Sequence, residues 1–283
     1  MRLGHTRTMM WLIVIGIVGL SGPAFAVPVV EQASGANAAA IQASVDAFRA
    51  DLGGSLNANV AGSFASGRRE INWDGVPDAL AAPNNLPSNF FNVNSPRGAV
   101  FSTPGTGVQV SGNAGVAPVR FDNINATYSS VFQTFSAQRL FTGVGSNIVD
   151  VNFFVPGSTN PATVSGFGSV FTDVDLANTT SIQYFNANNV SLGTFFAPTA
   201  NNGLSFLGVS GFGDGIARVR ITSGNAALGP NDANGNPTDV VVMDDFVYGE
   251  PKAVVPEPSS MLLLATGVAV FVWIRKKARS PMT

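Results

Sequence analysis

The sequence predicts a mainly β fold, an antiparallel two-sheet β-sandwich carrying one N-terminal amphipathic helix. Three observations point there. Apolar residues alternate with polar ones: Val149, Val151, Phe153 and Val155 against Asp150, Asn152 and Phe154, then Val219 and Ile221 against Arg218 and Arg220. Turn chemistry separates such runs at Pro156-Gly157, Asn186–Asn189, Asn201-Asn202-Gly203 and Gly211–Gly215, with no intervening helical pattern. Finally, only 11% of residues are charged while Phe, Val and Gly abound, a composition that folds rather than remaining a disordered stalk.

Taken in order, the chain opens with Arg2 and Arg7, an apolar core Met9–Leu20, and Ser21-Gly22-Pro23 before Ala24-Phe25-Ala26. This is the pattern of a secretory signal peptide over residues 1–26, cut by signal peptidase after the small residues Ala24 and Ala26, so that the mature chain starts at Val27. No Arg-Arg pair is present, which favours the general export route over the twin-arginine one. Residues 27–66 are expected to form a loose lead-in, Val27–Gly35, and one helix. Ile41, Val45, Phe48 and Leu52 fall on one helical face, with Asn37 or Ser34 as the start signal and Gly53-Gly54 as the stop. This helix is expected on an edge or end of the sandwich, which occupies residues 67–252. Trp73 follows in the stretch Gly67–Asp78, and Ala79–Pro96 has the Pro and Asn content of a long surface loop pinned by Phe90-Phe91. From Gly98 onward strands dominate, Phe167–Val174 and Ser181–Phe185 among them, and no tandem repeat occurs.

Two absences exclude most chemistry. The sequence has no Cys, hence no disulfide, thiol nucleophile or thiolate metal site. Its one His, His5, lies in the signal segment, so a Ser-His-Asp triad, a His-bound zinc and an imidazole base are all ruled out of the mature chain. Catalysis would rest on carboxylates, Lys or Tyr, and no catalytic residue stands out. Between Val27 and Val255 acids outnumber bases without any basic patch, which argues against a nucleic-acid partner.

The tail runs Val255-Pro256-Glu257-Pro258-Ser259-Ser260, an apolar stretch Met261–Ile274, then Arg275, Lys276, Lys277 and Arg279. Pro256 and Pro258 forbid a helix through the motif. The apolar run spans roughly 21 Å as a helix against a hydrocarbon core of about 30 Å, so it crosses only with help from Ser259, Ser260 and snorkelling basic side chains. The basic stop at 275–279 stays cytoplasmic by the positive-inside rule. An ordinary single-span anchor over 259–274 would look like this too. The Pro-Glu-Pro motif before an undersized span resembles the PEP-CTERM sorting signal of Gram-negative bacteria. That resemblance implies a tail at 253–283 handled by the membrane enzyme exosortase, with inner-membrane anchoring during sorting and then a cell-surface or secreted location.

The blocks Gly166–Asp175, Ile182–Ala187, Leu204–Val209 and Val242–Gly249 are similar to bacterial jelly-roll ectodomains akin to carbohydrate-binding modules. The resemblance implies saccharide binding, with exopolysaccharide as the partner, and a structural Ca²⁺ near the last strand. Trp73 and Tyr184 are the candidate sugar-stacking faces; for Trp73 the plainer alternative is a plug at the sandwich edge while Arg69 and Glu70 pair locally. Asp173 and Asp175, two apart at a strand end, are expected on one side, as a calcium or carboxylate pair or as solvated acids. Asp244 and Asp245, adjacent in a strand, are expected on opposite faces, unable to form one catalytic pair, with the inward one needing an N–H, Arg or Ca²⁺ partner. Asp232–Asp239 places oxygen ligands at alternate positions but departs from calcium-loop spacing and fits an Asn-Gly hairpin better. The leading expectation is a non-enzymatic surface or matrix protein with a binding or structural sandwich. The alternative is a carboxylate-based polysaccharide hydrolase or lyase.

Overall fold

The computed structural model describes residues 27–112, 119–136, 138–212, 215–231 and 237–254, with 271 and 275 singly. The signal segment with Ala24 and Ala26, and Val255–Pro258 in the tail, lie outside the described residues, as does nearly all of Met261–Ile274. Among the described residues no helix is long and apolar enough to cross a membrane.

Residues with period-two patterning form strands. The smaller sheet has the order β10 (Ser191–Phe196), β9 (Ser181–Phe185), β12 (Arg218–Thr222), β6 (Ile148–Phe153), β3 (Ala99–Ser102). The larger runs β1 (Val29–Gly35), β11 (Ala200–Ser210), β8 (Gly166–Val174), β13 (Val242–Gly249), β5 (Phe141–Val144), β4 (Gly107–Val110), and β2 (Arg68–Ile71) also pairs with β13. A short ribbon of β7 (Ala162–Thr163) and β14 (Lys252–Ala253) stands apart. Every strand pair is antiparallel. From β5 to β13 the chain repeatedly passes from one sheet to the other, and their inner faces share one core. Phe101, Val151, Tyr184 and Val219 of the smaller sheet meet Phe141, Phe167, Phe171 and Phe246 of the larger.

β6 and β12 bury alternate residues, as their sequences require of a sheet wet on one side. β8 is buried at every position, because both of its faces are covered. The outer cover is α1 (Ala38–Asp51), capped by Asn37, whose Oδ1 accepts from Ala40 N at 3.2 Å. Ile41, Val45 and Phe48 of α1 pack on Val170, Leu204, Phe206 and Val247. The helix therefore lies on the outer face of the larger sheet and not on an edge or end. Gly168 and Gly208 make that seat possible, since a Cβ on either would come within 2.9 and 2.7 Å of the Phe48 ring.

The lead-in is also corrected. Val29–Gly35 is strand β1, paired residue by residue from Val29↔Ser210 to Gly35↔Leu204. Residues 27–66 therefore contribute a strand to the larger sheet. The partner strand lies far along the sequence, and an edge strand with both valines exposed carries little alternation to read. The 79–96 segment holds a one-turn helix, α2 (Phe90–Val93), that buries Phe90 and Phe91 in the main core.

Candidate functional site: a polar cleft beside a bulged strand

The site begins with an irregularity in β13. Met243 pairs with Phe171 and Phe246 with Ser169, so Asp244 and Asp245 together oppose one residue, Val170. Met243 and Phe246 both belong to the inner core, while Val247 packs under α1. The two inward side chains stand three positions apart, which a regular strand does not allow; the extra residue is a β-bulge, and it turns both carboxylates to the outer face. The expectation of opposite faces fails for this reason.

Phe135 N donates to Asp244 Oδ2 at 2.6 Å. Ser136 Oγ donates to Asp245 Oδ1 at 2.6 Å and lies 3.4 Å from Asp244 Oδ1. On the inner side, the bulge exposes the Asp244 carbonyl to Trp73 Nε1, which donates to it at 2.8 Å. Burial pushes the Asp245 carboxyl up to about 6, against hydrogen bonds from Ser136 and Asp244 that lower it. Burial first, then the Asp245 charge, pushes Asp244 well above the carboxylate range. Burial therefore favours the protonated form of both carboxyls, and the two titrate as one pair.

Asp245 opens onto a cleft of about 430 Å³, walled by Gln42 and Arg49 of α1, Asn57 and Asn59, Glu70 and Asn72, Arg97, and the Phe135-Ser136 segment. Gln42 and Arg49 stand two helical turns apart on one face. β2 points Arg68 and Glu70 outward and Arg69 and Ile71 inward. Glu70 is gripped by Arg49 (Nε–Oε1 3.0 Å, Nη2–Oε2 2.9 Å) and by Arg68 Nε at 2.6 Å. Arg69 instead makes a fully buried bidentate pair with Glu250, at 2.6 and 2.8 Å. The local Arg69–Glu70 pairing does not form, because neighbours in a strand face opposite ways. Glu250 also accepts from Asn57 Nδ2 (2.8 Å) and Phe64 N (3.2 Å), which fixes the loop forming one cleft wall.

The remaining candidates fall elsewhere. Trp73 is 1% exposed and stacks on Phe141 at 4.1 Å, deep in the core. Tyr184 is fully buried and donates to the Phe167 carbonyl at 2.9 Å. Neither ring offers a face to a sugar; aromatic size and a polar tip look alike in a core and in a platform. Asp173 sits at φ 69°, a left-handed conformation that breaks the alternation meant to align it with Asp175, and its Oδ1 accepts from Asn202 N at 2.6 Å. Among the described residues no group of three or more acids, His or Cys is placed to hold a metal ion, so Asp173, Asp175, Asp244 and Asp245 do not converge on one calcium site. Asp239 is buried and accepts from Asp175 N and Leu176 N, while 232–236 lie outside the described residues. Sequence reasoning missed Arg49, Glu70 and Arg97; the seven-residue spacing of Gln42 and Arg49 was a usable signal, and Arg97 gave none.

Residues 254–276 match the PEP-CTERM protein-sorting motif. That motif implies export and sorting by exosortase at the membrane of a Gram-negative bacterium. No curated protein matches the chain. One solved structure is similar, the enzymatically active domain of tailspike protein 4 of bacteriophage CBA120, at 14% identity and a TM-score of 0.27. The match covers 62% of this chain and 22% of that one.

Proposed function

We propose that this exosortase-sorted chain delivers a non-enzymatic binding domain to the cell surface or extracellular matrix, where its cleft takes a polyhydroxylated, saccharide-type ligand such as exopolysaccharide. The observation that carries the reading is the cleft lining. Asn59 and Asn72 are exposed there and make no side-chain hydrogen bond among the described residues. Amides of this kind, beside guanidinium and carboxylate groups on a rigid sheet and helix, suit hydroxyl recognition. The sheet-crossing connections support the jelly-roll resemblance. A cleaved signal peptide at 1–26 and removal of the tail complete the proposed maturation. A structural Ca²⁺ near the last strand stays part of the proposal, and a melting temperature indifferent to chelator and to added Ca²⁺ removes it.

The hydrolase reading has one observation in its favour, since an Asp245 carboxyl near 6 suits a general acid. Glycoside cleavage needs a second, free carboxyl across the bond. Asp244 is wholly buried, and Glu70 is occupied by three guanidinium nitrogens. Calorimetric titration of the mature protein with the producing organism's exopolysaccharide is the test: binding weakened by Asn72→Ala, without release of reducing ends, is expected. Turnover by the wild type that Asp245→Asn abolishes would replace this reading with the enzyme.

A further inference from the structure

We propose that the cleft selects acidic saccharides, with Arg97 as the anchor for a uronate carboxylate; this rests on the saccharide reading above. The cleft holds two guanidinium groups in different states. Arg49 is engaged by Glu70 on two nitrogens and by Asp46 at 2.9 Å. Arg97 has no acid partner among the described residues. Its Nη1 donates to Ser95 Oγ, its Cζ lies 5.1 Å from the Phe91 ring centre, its Nε is buried without a partner, and Nη2 makes no hydrogen bond among the described residues.

Glu250 is already saturated by Arg69, Asn57 and Phe64 N. Glu70, for its part, has two cations around one carboxylate. Burial depresses the Arg97 guanidinium; Tyr248 opposes that and the Arg69 charge adds to it, and no carboxylate contributes. A carboxylate arriving from solvent would meet a guanidinium already partly desolvated beside an aromatic ring. Such a charge-assisted bond is stronger than a neutral one. Asn59 and Asn72 on the same walls would take the hydroxyls. A ligand with both a carboxylate and a ring of hydroxyls matches this arrangement better than a neutral sugar.

Asp245 supplies a second signature. It shares the cleft with Arg49 from α1, Glu70 from β2 and Asp244 beside it, with the Asp74 charge acting on Asp244. Protonation of Asp245 removes a negative charge facing the site, while a uronate stays ionised. Affinity for the acid should therefore rise as pH falls from 7.5 to 5.5.

The experiment is calorimetric titration of the mature protein with oligogalacturonate and alginate oligosaccharides, their fully methyl-esterified forms, and a sulfated galactan. Acids are expected to bind about tenfold or more tightly than their esters. Arg97→Gln should erase that difference, bringing the acid and ester affinities together. Equal binding of acid and ester by the wild type overturns the inference and leaves the saccharide reading standing. Binding of neither overturns both. Equal binding of the sulfated galactan and the acids overturns the carboxylate assignment in favour of a general anion site. If Arg97→Gln does not fold, the acid-against-ester comparison on the wild type decides alone.

Discussion

The most consequential side chain for the cleft wall is one that touches no ligand. Arg69 is entirely buried, and its charge is met by Glu250 and by the carbonyls of Ala58, Pro96 and Gly62. Replacing a buried ion pair with apolar groups can be neutral, but removing one partner strands the other charge. Glu250→Gln is expected to cost about 3–5 kcal/mol in urea unfolding. An Arg69→Met/Glu250→Leu double variant should recover most of that. A single variant as stable as wild type would show that solvent reaches Arg69.

At the scale of elements, the bulge in β13 decides both electrostatics and geometry. Asp245 is raised from 3.8 to about 6, so the folded state holds its proton more tightly than the unfolded chain. Between about pH 4 and 6 the native state binds more protons, and this group's contribution to stability falls as pH rises, remaining lost above that window. Each unit of the rise is worth about 1.4 kcal/mol. Asp245→Asn keeps an acceptor for Ser136 and removes the charge. It should be more stable than wild type by about 1–3 kcal/mol at pH 7.5, with the difference shrinking toward pH 4. A difference constant across that range would mean the carboxyl is not shifted. The seat of α1 is a second test. A Cβ at Gly208 would lie 2.7 Å from the Phe48 ring, so Gly208→Ala should cost about 1–3 kcal/mol by displacing the helix. No loss would mean that Phe48 has room to swing away.

For the whole molecule, the prediction concerns where the mature chain ends. The matched sorting motif at 254–276 contains the apolar run Met261–Ile274, which is too short for an unaided crossing. Intact mass measurement of the surface form should place its C-terminus near Pro256–Ser260. A surface-displayed chain still carrying Met261–Thr283 would make the tail a permanent anchor.

What the sequence determined by itself was local in origin. The period-two runs of β6 and β12, the cap and apolar stripe of α1, the Ser181–Phe185 strand and the Pro-Glu-Pro tail each declare themselves within a few residues. Tertiary structure alone decided the rest. β1 became a strand because residues 204–210 offer it an edge. Trp73 became a core residue because Phe141 and the Asp244 carbonyl come to meet it. Asp244 and Asp245 came to share a face because β13 carries one residue more than β8 across from it, a mismatch that appears only once two distant strands are paired. The cleft followed from the same cause: Arg49, Glu70, Arg97 and Asp245 come from separate elements, and nothing in a one-dimensional pattern records that a helix laid across a sheet brings their charges together.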